Sequence, residues 1–334
     1  MNWQHLISHL DPGQEIVIMT HDKPDGDAWG SVLGFGLVLE NLGYRPTFIH
    51  AGLQPGRMYS WLPGQHLIRR TASDGFSLPA DEQVIVLDCG DLSRCEFAID
   101  ESQVLLNVDH HVSNPGFGQI GWIDATAGAT AQILCRLLLE NDIVIPPEAA
   151  TNFYIALVTD TGNFRFSNTG AETLRIASVL VELGADIPAI RQRLWENRPG
   201  QELPLLQEMM KSMIVFAEGQ AALCFLPYDL VMATGIHDAE TDTALEAIRS
   251  VEGIEAVVLL KEAEPGLVKV SLRSKERIDS ASFMSGLGGG GHLRAAGATL
   301  RESLPEVREK VIRLLTEALL TTERPSGLTV KPAR

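Results

Sequence analysis

The sequence is poor in several things. Its four cysteines, Cys89, Cys95, Cys135 and Cys224, lack paired spacing, which argues against a disulfide framework and fits the reduced thiols of a cytoplasmic protein. No apolar run approaches the ~20 residues that span a bilayer. The start, "MNWQHLISHLDPGQE", lacks the basic segment leading into an apolar core that marks a signal peptide. Positive charge is short: 27 lysines and arginines against 43 aspartates and glutamates leave a formal charge of -16. A non-specific binder of duplex DNA needs a basic face to displace counterions, so the charge argues against that class. A polyanionic substrate is not, because a metal ion and a few placed arginines reverse the field locally. Internal repeats are absent.

What is present is an ordinary apolar content of 45% in 334 residues, too long a chain for one core, so two domains are expected. In the first half, "EIVIMT" (15–20), "PTFIH" (46–50), "QVIVLD" (83–88) and "QVLLNVDHH" (103–111) read as strands. "AWGSVLGFGLVLENLG" (28–43), "AGATAQILCRLLLEN" (127–141) and "PEAATNFYIALVTDTG" (147–162) read as helices, followed by helical patterns at 170–184 and 186–196. Continuous apolar strands between helices mean a parallel sheet covered on both faces. "ENRPGQELP" (196–204) marks a break before a connecting helix. Beyond it, "MIVFAEG" with "AALCFLP" and "IEAVVLLKEA" with "GLVKVSLRS" read as strand pairs, and 238–253 and 304–321 as helices. The expected fold is α/β: a parallel-sheet domain flanked by helices (1–196), a linker (197–215) and a smaller α/β domain with a mixed sheet (216–321). A disordered polar tail (322–334) completes the chain.

Acidic residues and histidines gather where three first-domain strands end, which is where open parallel sheets bind ligands. Four patches stand out: His21, Asp25 and Asp27 in "HDKPDGDAWGS"; Asp88 in "VLDCGD"; Asp109, His110 and His111 in "VDHH"; and Asp160 in "LVTDTGNFRFSNTG". Taken singly, "KPDG" is an ordinary turn, "GGGG" a linker and Phe164 a packing residue. Taken together, the carboxylates repel one another unless a cation sits among them. Imidazole with carboxylate suits Mn²⁺, then Fe, Co or Zn, and the lack of thiolates disfavours structural zinc. The set exceeds the needs of one ion. Asp88, ending a central strand, is placed to bridge two, and a metal pair about 3.5–4 Å apart serves phosphoester hydrolysis best.

In this order, "HDKPDGDAWGS", "LDCGD", "VDHH" and "TDTGNFRF" resemble the four motifs of the DHH phosphoesterase family. "GGGGHLRAAGA" (288–298) resembles the glycine-rich signature of the DHH-associated C-terminal domain. The resemblance covers nearly the whole chain and is closest to bacterial nano-RNases that also act as 3'-phosphoadenosine-5'-phosphate (pAp) phosphatases. It implies one Mn²⁺ on His21, Asp25 and Asp88 and another on Asp27, Asp88, His110 and Asp160, with Mg²⁺ or Co²⁺ as substitutes. His111 and Asp109 are the implied catalytic pair: His111 faces the substrate phosphate, and Asp109 orients a histidine. In the second domain, Gly289, Gly290, Gly291 and His292 would grip phosphate, with Arg273 as a bidentate partner and Arg294 as a lesser candidate.

The implied activity is Mn²⁺-dependent hydrolysis of short single-stranded RNA and of pAp. The rival within the family is a phosphodiesterase of cyclic or linear signalling dinucleotides (c-di-AMP, pApA, pGpG), which would share every metal ligand. "GGGGH" disfavours a pyrophosphatase, and a short acidic chain disfavours a long-strand exonuclease. An intact ligand set disfavours a non-catalytic nucleotide-binding regulator. A haloacid-dehalogenase-like phosphatase fails because "HDKP" separates the strand from "DGD". Neither a membrane nor a long duplex is an expected partner. Many relatives of this layout are dimers, which makes a homodimer one candidate state, but no stretch of sequence marks an interface.

Overall fold

Alternate residues of the apolar strands feed two separate cores. Strands β1 (Glu15–Met19), β2 (Arg45–His50), β3 (Ile68–Arg70), β4 (Gln83–Leu87), β5 (Val104–Asp109) and β6 (Ile120–Ile123) form one sheet in the order β3-β2-β1-β4-β5-β6. Every pairing in it is parallel. Ile16, Ile18, Ile85 and Leu87 face a cluster built with helices. Val17, Met19, Val84 and Val86 face the other way, where Cys89, Cys95, Phe97 and Phe117 cover them; no α-helical residue joins that cluster among the described residues. Chain order reverses between β1 and β4, and in sheets of this order the crevice beyond that reversal receives ligands.

This computed structural model describes residues 3–50, 58–70, 82–95, 99–197, 202–234 and 242–321, with 78, 97 and 200. The expected tail lies outside the described residues, as do 238–241 of the expected helix at 238–253. Contacts divide the chain into two units, Met1–Asn197 and Arg198–Arg334.

The first unit's helices are α1 (Trp3–Ile7), α2 (Gly26–Asn41), α3 (Thr130–Glu140), α4 (Pro147–Asp160), α5 (Ala171–Glu182) and α6 (Ile187–Arg191). Helix α2 begins two residues before the sequence pattern suggested, because Asp25 caps it, its Oδ1 accepting from the Asp27 and Ala28 amides at 3.0 and 3.1 Å. Glycine recurs along α2 at 26, 30 and 34, and α4 lies against that stripe. A Cβ on Gly26 would stand 2.3 Å from Thr159 Oγ1, one on Gly30 2.4 Å from the Asn152 carbonyl oxygen, and one on Gly34 2.7 Å from the Phe153 ring. The missing Cβ atoms let two helices close to a distance that brings the start of α2, with Asp27, beside the end of α4, with Asp160.

The second unit holds α7 (Glu202–Ser212), β7 (Ile214–Phe216), β8 (Ala221–Leu226), α8 (Tyr228–Thr234), α9 (Asp242–Arg249), β9 (Ala256–Glu264), β10 (Leu267–Ser274), α10 (Ser280–Ser285), β11 (Gly290–His292), β12 (Ala295–Leu300) and α11 (Leu304–Thr321). Its sheet is mixed, in the order β11-β12-β10-β9-β8-β7, with β8 and β9 the parallel pair. One face packs Val258, Leu260, Val270, Leu272 and Ala298 under Val307, Val311 and Leu315 of α11. On the other face, α7, α8 and α9 cover Ala222, Cys224, Val257 and Leu259 of β8 and β9. The same-face positions of β10 and β12 are Ser271, Arg273, Ala295 and Gly297, which join neither core.

Candidate metal centre

His21 follows β1, Asp88 follows β4, Asp109 ends β5, and Asp160 ends α4. The fold brings them together from across the first unit. His21, Asp25 and Asp88 each offer one ligand atom within 4.8 Å of the others, as do Asp27, His110 and Asp160, and Asp88, His110 and His111. Asp88 joins the groups through different oxygens. Its Oδ2 lies 3.9 Å from His21 Nε2, and its Oδ1 lies 3.6 Å from His110 Nε2. The residue is held there at φ 54°, a left-handed conformation that aspartate tolerates better than most side chains. Thr130 supports it, donating from Oγ1 to Asp88 Oδ1 at 3.0 Å.

His110 sets the second group. Its Nδ1 faces the Ala127 carbonyl at 3.3 Å, the bond that fixes the ring with Nδ1–H donating and turns Nε2 inward. That Nε2 lies 3.7 Å from Asp27 Oδ2 and 3.6 Å from both Asp88 Oδ1 and Asp160 Oδ2. Asp27 does two tasks: Ser31 Oγ and the Thr130 and Ala131 amides donate to it, at 2.9, 2.6 and 3.2 Å. It therefore caps α3, whose own N-cap residue, Ala129, provides no side chain for the purpose. Two oxygens with four acceptor sites still leave Asp27 one site to spare.

Electrostatics of the site show repulsion of the expected sign. Burial, with Asp27, Asp25, Asp109 and Asp160 adding to it, pushes the Asp88 carboxyl well above the usual range. Burial likewise raises Asp27 against the pull of His110. Burial lifts Asp160 to about 8, opposed by His110. Burial would lower His110, but Asp160, Asp27 and Asp109 outweigh it, and its pKa rises. His21 is lowered by burial, and its Nδ1 has no hydrogen-bond partner among the described residues. Inward-facing imidazole nitrogens with the carboxylates of buried Asp27 and Asp88, half-buried Asp160 and exposed Asp25 form a donor set that a divalent cation would satisfy.

Asp109 stands apart from that set. It is fully buried, and both its oxygens are occupied. Oδ1 accepts from the His110 amide at 2.8 Å and faces His111 Nδ1 at 2.6 Å, and Oδ2 accepts from Asn114 Nδ2 at 2.7 Å. Burial raises its pKa, but the bonds from His111 and Asn114 reverse the sign and hold it ionised. It orients His111 rather than offering an oxygen to the centre. Asp91 and Asp124 cap turns, accepting from the Ser93 and Thr126 amides. Trp29 and Phe35 are core residues.

Models of the DHH family, N-terminal domain, and of the DHHA1 domain match residues 15–157 and 223–319. The bifunctional oligoribonuclease and PAP phosphatase NrnA of Thermus thermophilus is 33% identical over 305 residues, spanning 91% of this chain and 90% of that protein. The chain belongs to the DHH family. The Bacillus subtilis protein with the same description is 27% identical over 303 residues, spanning 88% of this chain and 92% of that protein. Among solved structures, an exopolyphosphatase-related protein from Bacteroides fragilis shares the fold with a TM-score of 0.80 at 23% identity, over 95% of this chain and 94% of that one.

The DHHA1 part of this DHH protein carries the remaining expected residues. Gly290–His292 is not an open loop but edge strand β11, pairing Gly290 with Gly297, Gly291 with Ala296 and His292 with Ala295. A Cβ on Gly289 would stand 2.1 Å from the Gly297 carbonyl oxygen, and one on Gly291 2.6 Å from that of Ala295, so both glycines are required by the neighbouring strand. Gly290, like Gly288, faces open space. Arg273 shares a cross-strand row with Ala295 and His292. Arg294 spends its Nη1 on the Glu276 and Ile278 carbonyls, at 2.9 and 3.1 Å.

Three supporting residues escaped the sequence reading: Thr130, Asn114 and Asn168. Asn168 Nδ2 donates to the Gly128 and Asp160 carbonyls, at 3.0 and 3.2 Å, which anchors the residue bearing the last carboxylate. "VDHHVSN" carried a signal for Asn114, an amide just beyond the charged cluster; the other two had none. Among the described residues no helix is long and apolar enough to cross a membrane. The four cysteines are free and buried.

Proposed function

We propose that the protein is a Mn²⁺-dependent phosphoesterase of short oligoribonucleotides and of pAp. The observation that carries this reading is the inward His110 Nε2, with carboxylate oxygens of Asp27, Asp88 and Asp160 at 3.6–3.7 Å, joined through the other Asp88 oxygen to His21. His21, Asp25 and Asp88 would hold one cation, and Asp27, Asp88, His110 and Asp160 a second. Bound divalent cations supply neutralising charge and activation of water for attack on phosphorus. The chain's own work lies in orientation and proton handling. Asp109 fixes the His111 proton on Nδ1, so Nε2 is the atom that exchanges a proton with the departing oxygen. Thr130 and Asn168 hold Asp88 and Asp160 in place. Arg273 and the Gly290 corner are proposed to bind phosphate, while Arg294 braces the loop behind them. The substrate class follows the Thermus and Bacillus relatives, whose descriptions name oligoribonuclease and PAP phosphatase activity.

A substrate panel tests the reading: RNA dinucleotide, RNA 24-mer, pAp, pyrophosphate and c-di-AMP, each with Mn²⁺ and with EDTA. Cleavage of the dinucleotide and pAp with Mn²⁺ only is expected. Faster hydrolysis of the 24-mer or of pyrophosphate refutes the substrate assignment, and preference for c-di-AMP shifts it to signalling dinucleotides. Inactivity on all five refutes the phosphoesterase reading.

A further inference from the structure

After β4 the chain runs through Asp88 and Cys89 into a single 3-10 turn, Leu92–Arg94, capped by Asp91. This turn is tied to the loop that carries His21. The Asp22 amide donates to the Arg94 carbonyl at 2.8 Å, and His21 and Cys95 form an antiparallel bridge. Backbone bonds therefore set Arg94 beside the group formed by His21, Asp25 and Asp88. Its side chain is exposed and makes no hydrogen bond or ion pair with any described residue. Its charge is nonetheless felt at His21, Cys89 and Asp91. Lys23, on the adjoining loop, is also exposed.

In a chain of net charge -16, several cations near acids are engaged by them: Arg136 pairs with Asp124 and Glu172, Arg249 with Glu246, and Lys310 with Glu302. Arg94 is not, though Asp91 is three residues away. A guanidinium presents a rigid fork of donors that fits a phosphate with two parallel bonds. Placed at the rim of a centre that takes one phosphate, it is suited to the next one along.

We propose that Arg94 receives the substrate phosphate that is not hydrolysed, and so makes the enzyme select substrates with a second phosphate beside the scissile one. In pAp this is the phosphate that remains on the product; in an oligonucleotide it is the neighbouring or terminal phosphate. Lys23 adds charge there without directional bonding. This assignment rests on the phosphoesterase reading above.

Steady-state kinetics with Mn²⁺ on ApA, pApA and ApAp test it in wild type, Arg94→Ala and Arg94→Lys. ApA has only the scissile phosphate, and the other two carry one more, at opposite ends. The quantity read is kcat/KM for the better phosphorylated dinucleotide divided by that for ApA. Losing a bidentate, charge-assisted contact should lower this ratio roughly tenfold to a hundredfold in Arg94→Ala, mainly through KM, with partial recovery in Arg94→Lys. A ratio that stays within about twofold of wild type overturns the assignment, because a merely structural arginine depresses all three substrates together. Wild-type protein that cleaves none of the three refutes the phosphoesterase reading itself, before any variant is compared.

Discussion

Asp88→Asn should stabilise the metal-free protein and abolish its stabilisation by metal. Substitution of a buried polar residue ordinarily destabilises, so the sign is diagnostic. Asparagine keeps the shape, still accepts from Thr130 Oγ1, and tolerates φ 54°. Only the charge is removed. Besides burial, the groups acting most strongly on Asp88 are the carboxylates of Asp27, Asp25, Asp109 and Asp160. Asp25 and Asp88 bring ligand oxygens within 4.8 Å. At that separation and an effective dielectric of about 20, one like-charge pair costs about 3.5 kcal/mol. Water around exposed Asp25 screens part of this, and lost attraction to His110 subtracts more, leaving on the order of 2 kcal/mol. For a unit of this size that is a rise in Tm of about 4–8 °C. The pH dependence follows from the direction of the Asp88 shift. Its folded pKa lies above the unfolded value, so the native state binds more protons, and wild-type stability falls as pH climbs from about 4. The variant lacks that slope, and its advantage should widen toward neutral pH. Thermal unfolding in EDTA at several pH values, repeated with Mn²⁺, provides the assay. An Asp88→Asn protein that melts below wild type in EDTA, or that keeps the Mn²⁺-induced rise, would refute the reasoning.

Asp109→Asn should reduce kcat with little change in KM, since the carboxylate touches His111 rather than substrate, and Asp109→Ala should cost less activity than Asp88→Ala; equal losses in steady-state assays would contradict the division of roles. Gly30→Ala should destabilise by about 1–2 kcal/mol although alanine favours helix by about 1 kcal/mol, because its Cβ would meet the Asn152 carbonyl and force α2 from α4. Chemical denaturation would show the sign, and weaker Mn²⁺ binding should accompany it. Arg273→Ala should raise KM for pAp more than it lowers kcat; a pure kcat effect would remove Arg273 from substrate binding.

The central strands and the charged patches were legible because both are local signals. "EIVIMT" and "QVIVLD" are apolar without alternation, as strands buried on both faces must be. The acids beyond them had no local reason to be there. Strands β3 and β6 were missed because three and four residues carry too little pattern. The strand expected at 103–111 ends at Asp109, whose carboxylate turns back to accept from the His110 amide. Thr130 was invisible for a different reason: its partner Asp27 is 103 residues away. The glycine run at 288–291 suggested an anion-binding loop, yet two of its members serve the close approach of β12.

The α2 glycines show how much a correct element can conceal. By propensity each weakens its helix by about 1 kcal/mol, so three of them look like a defect in an otherwise apolar run. Their spacing of four residues places them on one face, where α4 seats its own small and aromatic groups. The tolerance of that contact is small, since a single methyl group at Gly26 or Gly30 would overlap its neighbour. Asp27 lies one residue from Gly26, and Asp160 one residue from Thr159. The distance between those two carboxylates is therefore set by helix packing rather than by a loop, and the same contact that buries the core spaces the oxygens around His110.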